Sequence, residues 1–293
     1  MYEDVFEKVE KLLDSFPIEC RQNYYNNKKK LKINRKLDIS STVYGEYNHD
    51  KNIITLYRDS ALSHELFHMA FRDKKKIRKK LYKGSILAIS NGISVQNIKT
   101  KGMGGVGLTE GFAEYLARKC CNTKGHQYLY LFTDLLISIY GEDILYYPLK
   151  NDMIGFILDK RFLSVSKLSS SMDDLLYYSD VIKYVSRNSE VIEKTFETNT
   201  KEKNIEIGKA LDTLKKSFGK TIIELFNKII DEYNNCVNPK ISKDDFINKI
   251  LDSINSNDYC AFFILDYEDG TIKEEIEKII ESFKKSKIKV LTN

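Results

Sequence analysis

The stretch SHELFHMA, residues 63–70, contains two of the four histidines of the chain. They occupy positions 64 and 68, and Glu65 directly follows the first of them. Residues four apart lie on one face of an α-helix. If this segment is helical, both imidazole rings point the same way, so the pair is a candidate site for binding or chemistry.

The residues around the two histidines favour a helix. Leu62, Leu66 and Met69 recur at the spacing of a buried helical stripe, which predicts a helix in the core. Asp59 or Ser60 is predicted to cap it, because either side chain can accept hydrogen bonds from the first free backbone amides.

The same spacing predicts a zinc site. His64 and His68 can each direct a ring nitrogen at one ion about 2 Å away, the bond length that zinc requires. Glu65 lies further round the helix, where it can take a proton from a water molecule instead of binding the metal. The predicted arrangement is the H-E-x-x-H pattern, with two zinc ligands and one catalytic base.

A catalytic zinc ion typically takes three protein ligands, so one more must lie downstream. His126 and Glu110 are both candidates. Glu114 lies one helical turn after Glu110, where it could orient a histidine through that histidine's free N–H group. This pairing favours Glu110 as the third ligand.

Two segments together carry a family resemblance. HELFH at 64–68, followed by LTEGFAEY at 108–115, resembles the gluzincin metallopeptidases, the thermolysin-like and aminopeptidase-like group. The resemblance covers residues 39–140. It implies that Glu110 is the third zinc ligand, that Glu114 supports the ligands, and that an edge strand of the sheet binds the substrate.

The predicted function is zinc-dependent hydrolysis of peptide bonds in a peptide or protein substrate. Glu65 would act as the general base toward a water molecule activated by the metal. The oxyanion that forms needs a further donor, and His126 and Tyr128, just after the Glu110 helix, are the candidates.

The predicted fold class is α+β, with a zincin-like domain over residues 1–150 and a mainly helical region over 151–293. Residues 39–57 and 85–96 each indicate a β-hairpin, and a small mixed or antiparallel sheet should pack on the metal-binding helix. The glycine-rich segment 101–107 is interpreted as a flexible connector. Beyond it, helical periodicity covers 126–140, 172–196, 206–234 and 241–255.

Composition limits the class of protein and the cellular compartment to be expected. The chain has 293 residues, of which 42% are hydrophobic, so it can bury a substantial core. Neither a secretion signal nor a transmembrane segment is predicted. The five scattered cysteines favour a reducing cytoplasm. Two of them, Cys120 and Cys121, are interpreted as buried, unreactive thiols.

Two alternative functions remain open. One is a regulatory or partner-binding module that uses the zinc fold without general peptidase activity. The other is a nucleic-acid protein, since the net charge is +5 and basic runs lie at 26–36 and 72–80. These runs lack interleaved aromatic residues, so a solvated basic face is the favoured interpretation and nucleic-acid binding is not expected. The sequence does not indicate which oligomeric state the protein adopts.

Overall fold

The computed structural model of the chain describes residues 2–38, 43–73, 79–82, 85–89, 92–97, 103–123, 125–162, 164–187, 201–255 and 271–286. The helices in these ranges are α1 (Glu3–Leu13), α2 (Ile18–Lys28), α3 (Leu62–Ala70), α4 (Val106–Cys121), α5 (Gln127–Tyr140), α6 (Tyr146–Lys150), α7 (Met153–Leu158), α8 (Val165–Arg187), α9 (Lys201–Asn235), α10 (Lys243–Asn255) and α11 (Thr271–Lys285). The strands are β1 (Lys32–Arg35), β2 (Gly45–Asn48), β3 (Ile53–Leu56), β4 (Lys79–Tyr82), β5 (Ser85–Ile89), β6 (Val95–Asn97) and β7 (Met103–Gly104). This mainly helical fold with small sheets is compatible with the predicted α+β class.

A three-stranded mixed sheet lies next to α3. Its central strand is β3, which pairs with β1 in parallel and with β2 in antiparallel orientation. The β2–β3 pair confirms the hairpin predicted over 39–57, of which residues 39–42 lie outside the described residues. Ile54 and Leu56 point from β3 into the core and are fully buried. Strand β1 falls in the basic run and was not predicted.

Helix α3 is the central helix of this part of the fold, as predicted, because all nine of its residues are buried. The predicted cap is wrong. A short 3-10 turn over Asp59–Ala61 precedes the helix, and among the described residues no side chain caps it. The Asp59 carboxylate instead accepts hydrogen bonds from Arg35 and from the hydroxyl of Tyr2.

The carboxyl end of α3 is fixed by a buried amide on α2. The side-chain nitrogen of Asn27 donates to the carbonyl oxygens of Met69 at 3.0 Å and Arg72 at 2.6 Å. These bonds tie α2 to the last turn of α3 and to the residues that follow it, and they give carbonyl groups in this packed region a hydrogen-bond partner.

A second sheet has the antiparallel order β4-β5-β6-β7. The β5–β6 pair confirms the hairpin predicted over 85–96. Gly92 in its turn has a φ of +58°, a conformation that favours glycine. Asn91 lies outside the described residues.

The predicted flexible connector at 101–107 is instead packed tightly where the structure describes it. Gly105 has a φ of +77° and precedes α4. Its amide and that of Gly107 donate to the Asp173 carboxylate of α8 at 2.9 and 2.7 Å. A Cβ atom on Gly107 would overlap the Met172 carbonyl, so the backbones of α4 and α8 approach directly. Residues 101 and 102 lie outside the described residues.

The helical predictions for the second half are largely confirmed. Helix α5 matches the prediction over 126–140. Helix α9 covers all of 206–234, and α10 covers most of 241–255. Helix α8 begins seven residues before the predicted start at 172 and is described to Arg187, so residues 188–196 of that prediction lie outside the described residues. Helices α2, α6, α7 and α11 were not predicted. Buried residues from both sides of position 150 form one continuous cluster. The boundary near 150 stays a prediction.

Within the described helices, none combines the length and hydropathy needed to cross a bilayer.

Gly107 provides a test of the α4–α8 contact. We expect Gly107→Ala to lower the free energy of unfolding by about 2–3 kcal/mol, because the added methyl group would force two backbones apart. Gly208 of α9 is the matched control: a Cβ there meets no atom within 4 Å, so Gly208→Ala should stabilise the protein by up to about 1 kcal/mol. Urea unfolding measures both. Equal effects of the two variants would contradict the described packing.

Candidate metal centre

Helices α3 and α4 bring three potential ligand atoms together. His64 Nε2 lies 2.9 Å from His68 Nε2 and 3.1 Å from Glu110 Oε2, and His68 Nε2 also lies 3.1 Å from that oxygen. The two histidines belong to one face of α3, and Glu110 lies on the second turn of α4. Two ring nitrogens from α3 and one carboxylate oxygen from α4 therefore form a nearly equilateral triangle.

Glu114 holds the His64 ring from the opposite side. Its Oε2 atom lies 3.1 Å from His64 Nδ1, as expected from the sequence. Its Oε1 atom accepts hydrogen bonds from Arg118 Nε at 2.9 Å, Thr123 Oγ1 at 3.0 Å and the Gly125 amide at 2.8 Å. With the Glu114 side chain only 1% exposed, these bonds fix its position and thereby the orientation of the His64 ring.

The pKa values in the cluster reflect burial and close pairing. Burial by itself would lower the pKa of His64, but hydrogen bonds with Glu110 and Glu114 raise it well above its usual value. Burial would raise the pKa of Glu110, yet the two histidines hold it well below its usual range. For Glu114, burial is likewise outweighed, and bonds with His64 and Arg118 lower the pKa to about 2. Both carboxylates are therefore charged at neutral pH.

Glu65 has a different environment, between α3 and strand β2. A Cβ atom on Gly45 would lie 2.9 Å from Glu65 Oε1, so the strand backbone passes directly over this carboxyl group. The backbone of Tyr47 also forms a hydrogen bond with it. Burial raises the pKa of Glu65, against the opposing influence of His64 and His68. A raised pKa suits a group that exchanges protons near neutral pH.

His126 precedes α5 and borders the same cluster. Its Nε2 atom lies 3.7 Å from Glu110 Oε2, and its ring centroid lies 5.4 Å from that of His64. Ligand atoms of His64, Glu110 and His126 all lie within 4.8 Å of one another, so this group could hold a metal ion. His68 forms an alternative third partner, and its shorter distances to His64 and Glu110 favour it.

The cluster opens toward solvent near Glu110 and His126. Their side chains are 22% and 26% exposed, against 10% for each of His64 and His68. Access to the cluster from solvent is therefore from the His126 side.

Tyr128 lies in a different setting. Its side chain is buried, and its ring packs edge to face against Phe218 of α9, with centroids 5.4 Å apart. This contact joins α5 to α9, so Tyr128 has a packing role and we do not assign it a chemical one.

Sequence reasoning missed the residues that hold Glu114 and those that cover Glu65. Arg118 follows Glu114 by four positions, the spacing of an intrahelical ion pair, and this signal could have identified it. The other contacts, from Thr123, Gly125 and Gly45, depend on how separate segments meet. Spacing along the chain does not indicate such contacts.

Comparison of the chain with known protein families, with curated proteins and with solved structures found no match. The interpretation of this centre therefore rests on the geometry and chemistry of its own residues.

Substitution of Glu114 tests how His64 is oriented. In Glu114→Gln, the three donors on the Oε1 side would hold the amide oxygen there and turn the NH₂ group toward His64 Nδ1. Nδ1 must then accept, so the proton of the neutral ring moves to Nε2, where it blocks metal binding. We expect ¹⁵N NMR to show this tautomer, and affinity for Zn²⁺ to fall roughly 10–100-fold.

Thr123→Val is the matched control, since it removes one donor to Glu114 and leaves the oxygen that faces His64. It should preserve the ring tautomer and most of the affinity. If Glu114→Gln left both the ¹⁵N spectrum and Zn²⁺ binding unchanged, Glu114 would not orient His64.

Proposed function

We propose that this protein is a zinc-dependent peptidase with a zincin-like site, in which His64, His68 and Glu110 hold the metal and Glu65 is the general base. The observation that carries the proposal is the triangle of two ring nitrogens and one carboxylate oxygen with sides of 2.9–3.1 Å. The gluzincin resemblance of the two motifs supports the same assignment.

The donor set fits zinc in both chemistry and spacing. Zinc in catalytic sites is commonly held by two histidines and one glutamate, at about 2.0–2.2 Å from each ligand atom. Ligand atoms at tetrahedral angles around such an ion lie roughly 3.3 Å apart. The observed distances need only a few tenths of an ångström of outward movement to meet this value.

The remaining residues of the site would supply proton transfer and a hydrogen-bond donor to the oxyanion. When bound, zinc supplies a Lewis acid that polarises a carbonyl group and lowers the pKa of water to about 7. The Glu65 carboxylate would accept the proton of the attacking water and pass it to the departing amine. His126, on the open side of the cluster, is positioned to donate a hydrogen bond to the oxyanion.

Strand β2 supports a peptide as substrate. It is an edge strand of the three-stranded sheet, and its first residues lie over Glu65. An extended peptide could add to this edge through backbone hydrogen bonds, which would bring a peptide carbonyl close to the general base.

The alternative function is a regulatory or partner-binding module with a closed metal site. The proximity of His126 to Glu110 and His64 is the observation that favours it, because four protein ligands would leave no position for water. The two functions thus differ in the role of one residue.

Glu65→Gln tests the proposed base. The variant should retain stoichiometric zinc and lose peptide hydrolysis by a factor of about 10²–10⁴ in kcat, since only proton transfer is removed. Glu277→Gln, at an exposed position on α11, is the control and should keep full activity. His64→Ala and Glu110→Ala should each lose the metal. Stoichiometric zinc in a His64→Ala, His68→Ala double variant would contradict the site.

His126→Phe separates the peptidase from the closed site. As a peptidase, the variant should keep its zinc affinity while kcat falls by about 10²–10³, because the oxyanion loses one donor. Steady-state kinetics measures kcat, zinc titration measures the affinity, and X-ray absorption of the zinc-loaded protein counts the nitrogen ligands. Loss of one nitrogen ligand together with weaker binding would instead establish the closed site and the module.

A further inference from the structure

The last turn of α4 carries an adjacent pair of thiols. The Sγ atoms of Cys120 and Cys121 lie 3.3 Å apart. The two side chains are only partly buried and are free thiols, so the predicted burial is wrong. Both residues lie outside the proposed metal site.

The two thiols differ in reactivity. A hydrogen bond from Cys120 lowers the pKa of Cys121 to about 7, assisted by Ser63 and by the positive charge of Lys8. The bond to Cys121 and burial have the opposite effect on Cys120, whose pKa is raised. Cys121 is therefore the thiol of the pair that ionises more readily to the thiolate, the form that reacts with oxidants, and Cys120 is its protonated neighbour.

The pair lies next to the support of Glu114. Helix α4 ends at Cys121, and Asn122 follows in a left-handed conformation with a φ of +52°. Thr123, the next residue, and Gly125, two residues further on, donate two of the hydrogen bonds that hold the Glu114 carboxylate. Any change in the backbone at the end of α4 is thereby transmitted to the side chain that orients His64.

We propose that Cys120 and Cys121 are a reversible, hydroperoxide-sensitive thiol pair whose oxidation to a disulfide displaces the turn supporting Glu114. The coupling to metal binding rests on the proposed function, whereas disulfide formation does not. Adjacent Cα atoms are about 3.8 Å apart, below the range of about 4.4–6.8 Å in ordinary disulfides. The bond therefore requires the helix end to change shape, and its strain makes it easy to reduce.

The oxidation proceeds in two balanced steps. The Cys121 thiolate attacks a peroxide oxygen, the O–O bond breaks, and sulfenic acid and hydroxide form. The Cys120 sulfur then attacks the Cys121 sulfur, the S–O bond breaks, and water leaves with the Cys120 proton. In total, two thiols lose two electrons and two protons, and hydrogen peroxide becomes two molecules of water.

Trypsin makes the test direct, because Lys119 and Lys124 flank the pair and release the peptide CCNTK. After treatment of the full chain with hydrogen peroxide and blocking of free thiols, mass spectrometry should find this peptide unblocked and two hydrogen atoms lighter. Dithiothreitol should reverse the change. Cys121→Ser should prevent it, and Cys236→Ser, at a partly buried thiol elsewhere, should not. Persistently free thiols in CCNTK would overturn the proposal.

Two readouts test the coupling to Glu114. Hydrogen exchange at the Gly125 amide should accelerate upon oxidation, and Zn²⁺ affinity should fall roughly 10–100-fold, as for loss of a group that orients a ligand. A disulfide that leaves exchange and affinity unchanged would refute the coupling. If the reduced protein binds no zinc, the proposed function fails, but the disulfide and the exchange measurement still decide the thiol proposal.

Discussion

The buried carboxylate of Glu114 is the constraint on which the candidate site depends. A carboxylate removed from water carries a penalty of several kcal/mol unless charged or polar partners surround it. Here one oxygen faces His64 on α3. The other accepts hydrogen bonds from Arg118 and from Thr123 in the turn after α4. The orientation of α3, the register of α4 and the shape of that turn are thereby tied to one side chain.

A second constraint comes from the helices that follow residue 150. Helix α8 presents the Met172 backbone to Gly107 and the Asp173 carboxylate to the first amides of α4. Glu110 lies one turn beyond those amides, so its position depends on this contact. The second half of the chain thus contributes to the site through packing, although its sequence carries no motif that indicates such a role.

Spacing along the chain predicted the groups that share one element. His64 and His68, and likewise Glu110 and Glu114, are four residues apart, so a helix brings each pair to one face regardless of tertiary structure. β-branched and aromatic residues on both sides of a turn-like segment predicted the β2–β3 hairpin, again from local sequence. Burial of Glu65 beneath β2 could not be read in this way, because the strand reaches it only after the sheet packs on α3.

Two local predictions failed because tertiary partners outweighed local preference. Asp59 has the chemistry of a helix cap, but Arg35 on β1 and Tyr2 compete for its carboxylate. Strand β1 gives no alternating signal, since only Ile33 among its residues is partly buried and the rest are exposed. Its pairing with β3 decides its structure, and that partner lies about 20 residues away.

The charges of the site support a cation at its centre. Glu65, Glu110 and Glu114 are three carboxyl groups within or beside the cluster, and Arg118 is the guanidinium paired with one of them. Metal-ligating histidines are neutral, so with all three carboxyl groups ionised, three negative charges and one positive charge leave two uncompensated. A divalent ion would balance them. Without a divalent ion, bound protons must compensate the excess negative charge. The raised pKa values of His64 and Glu65 favour such protonation.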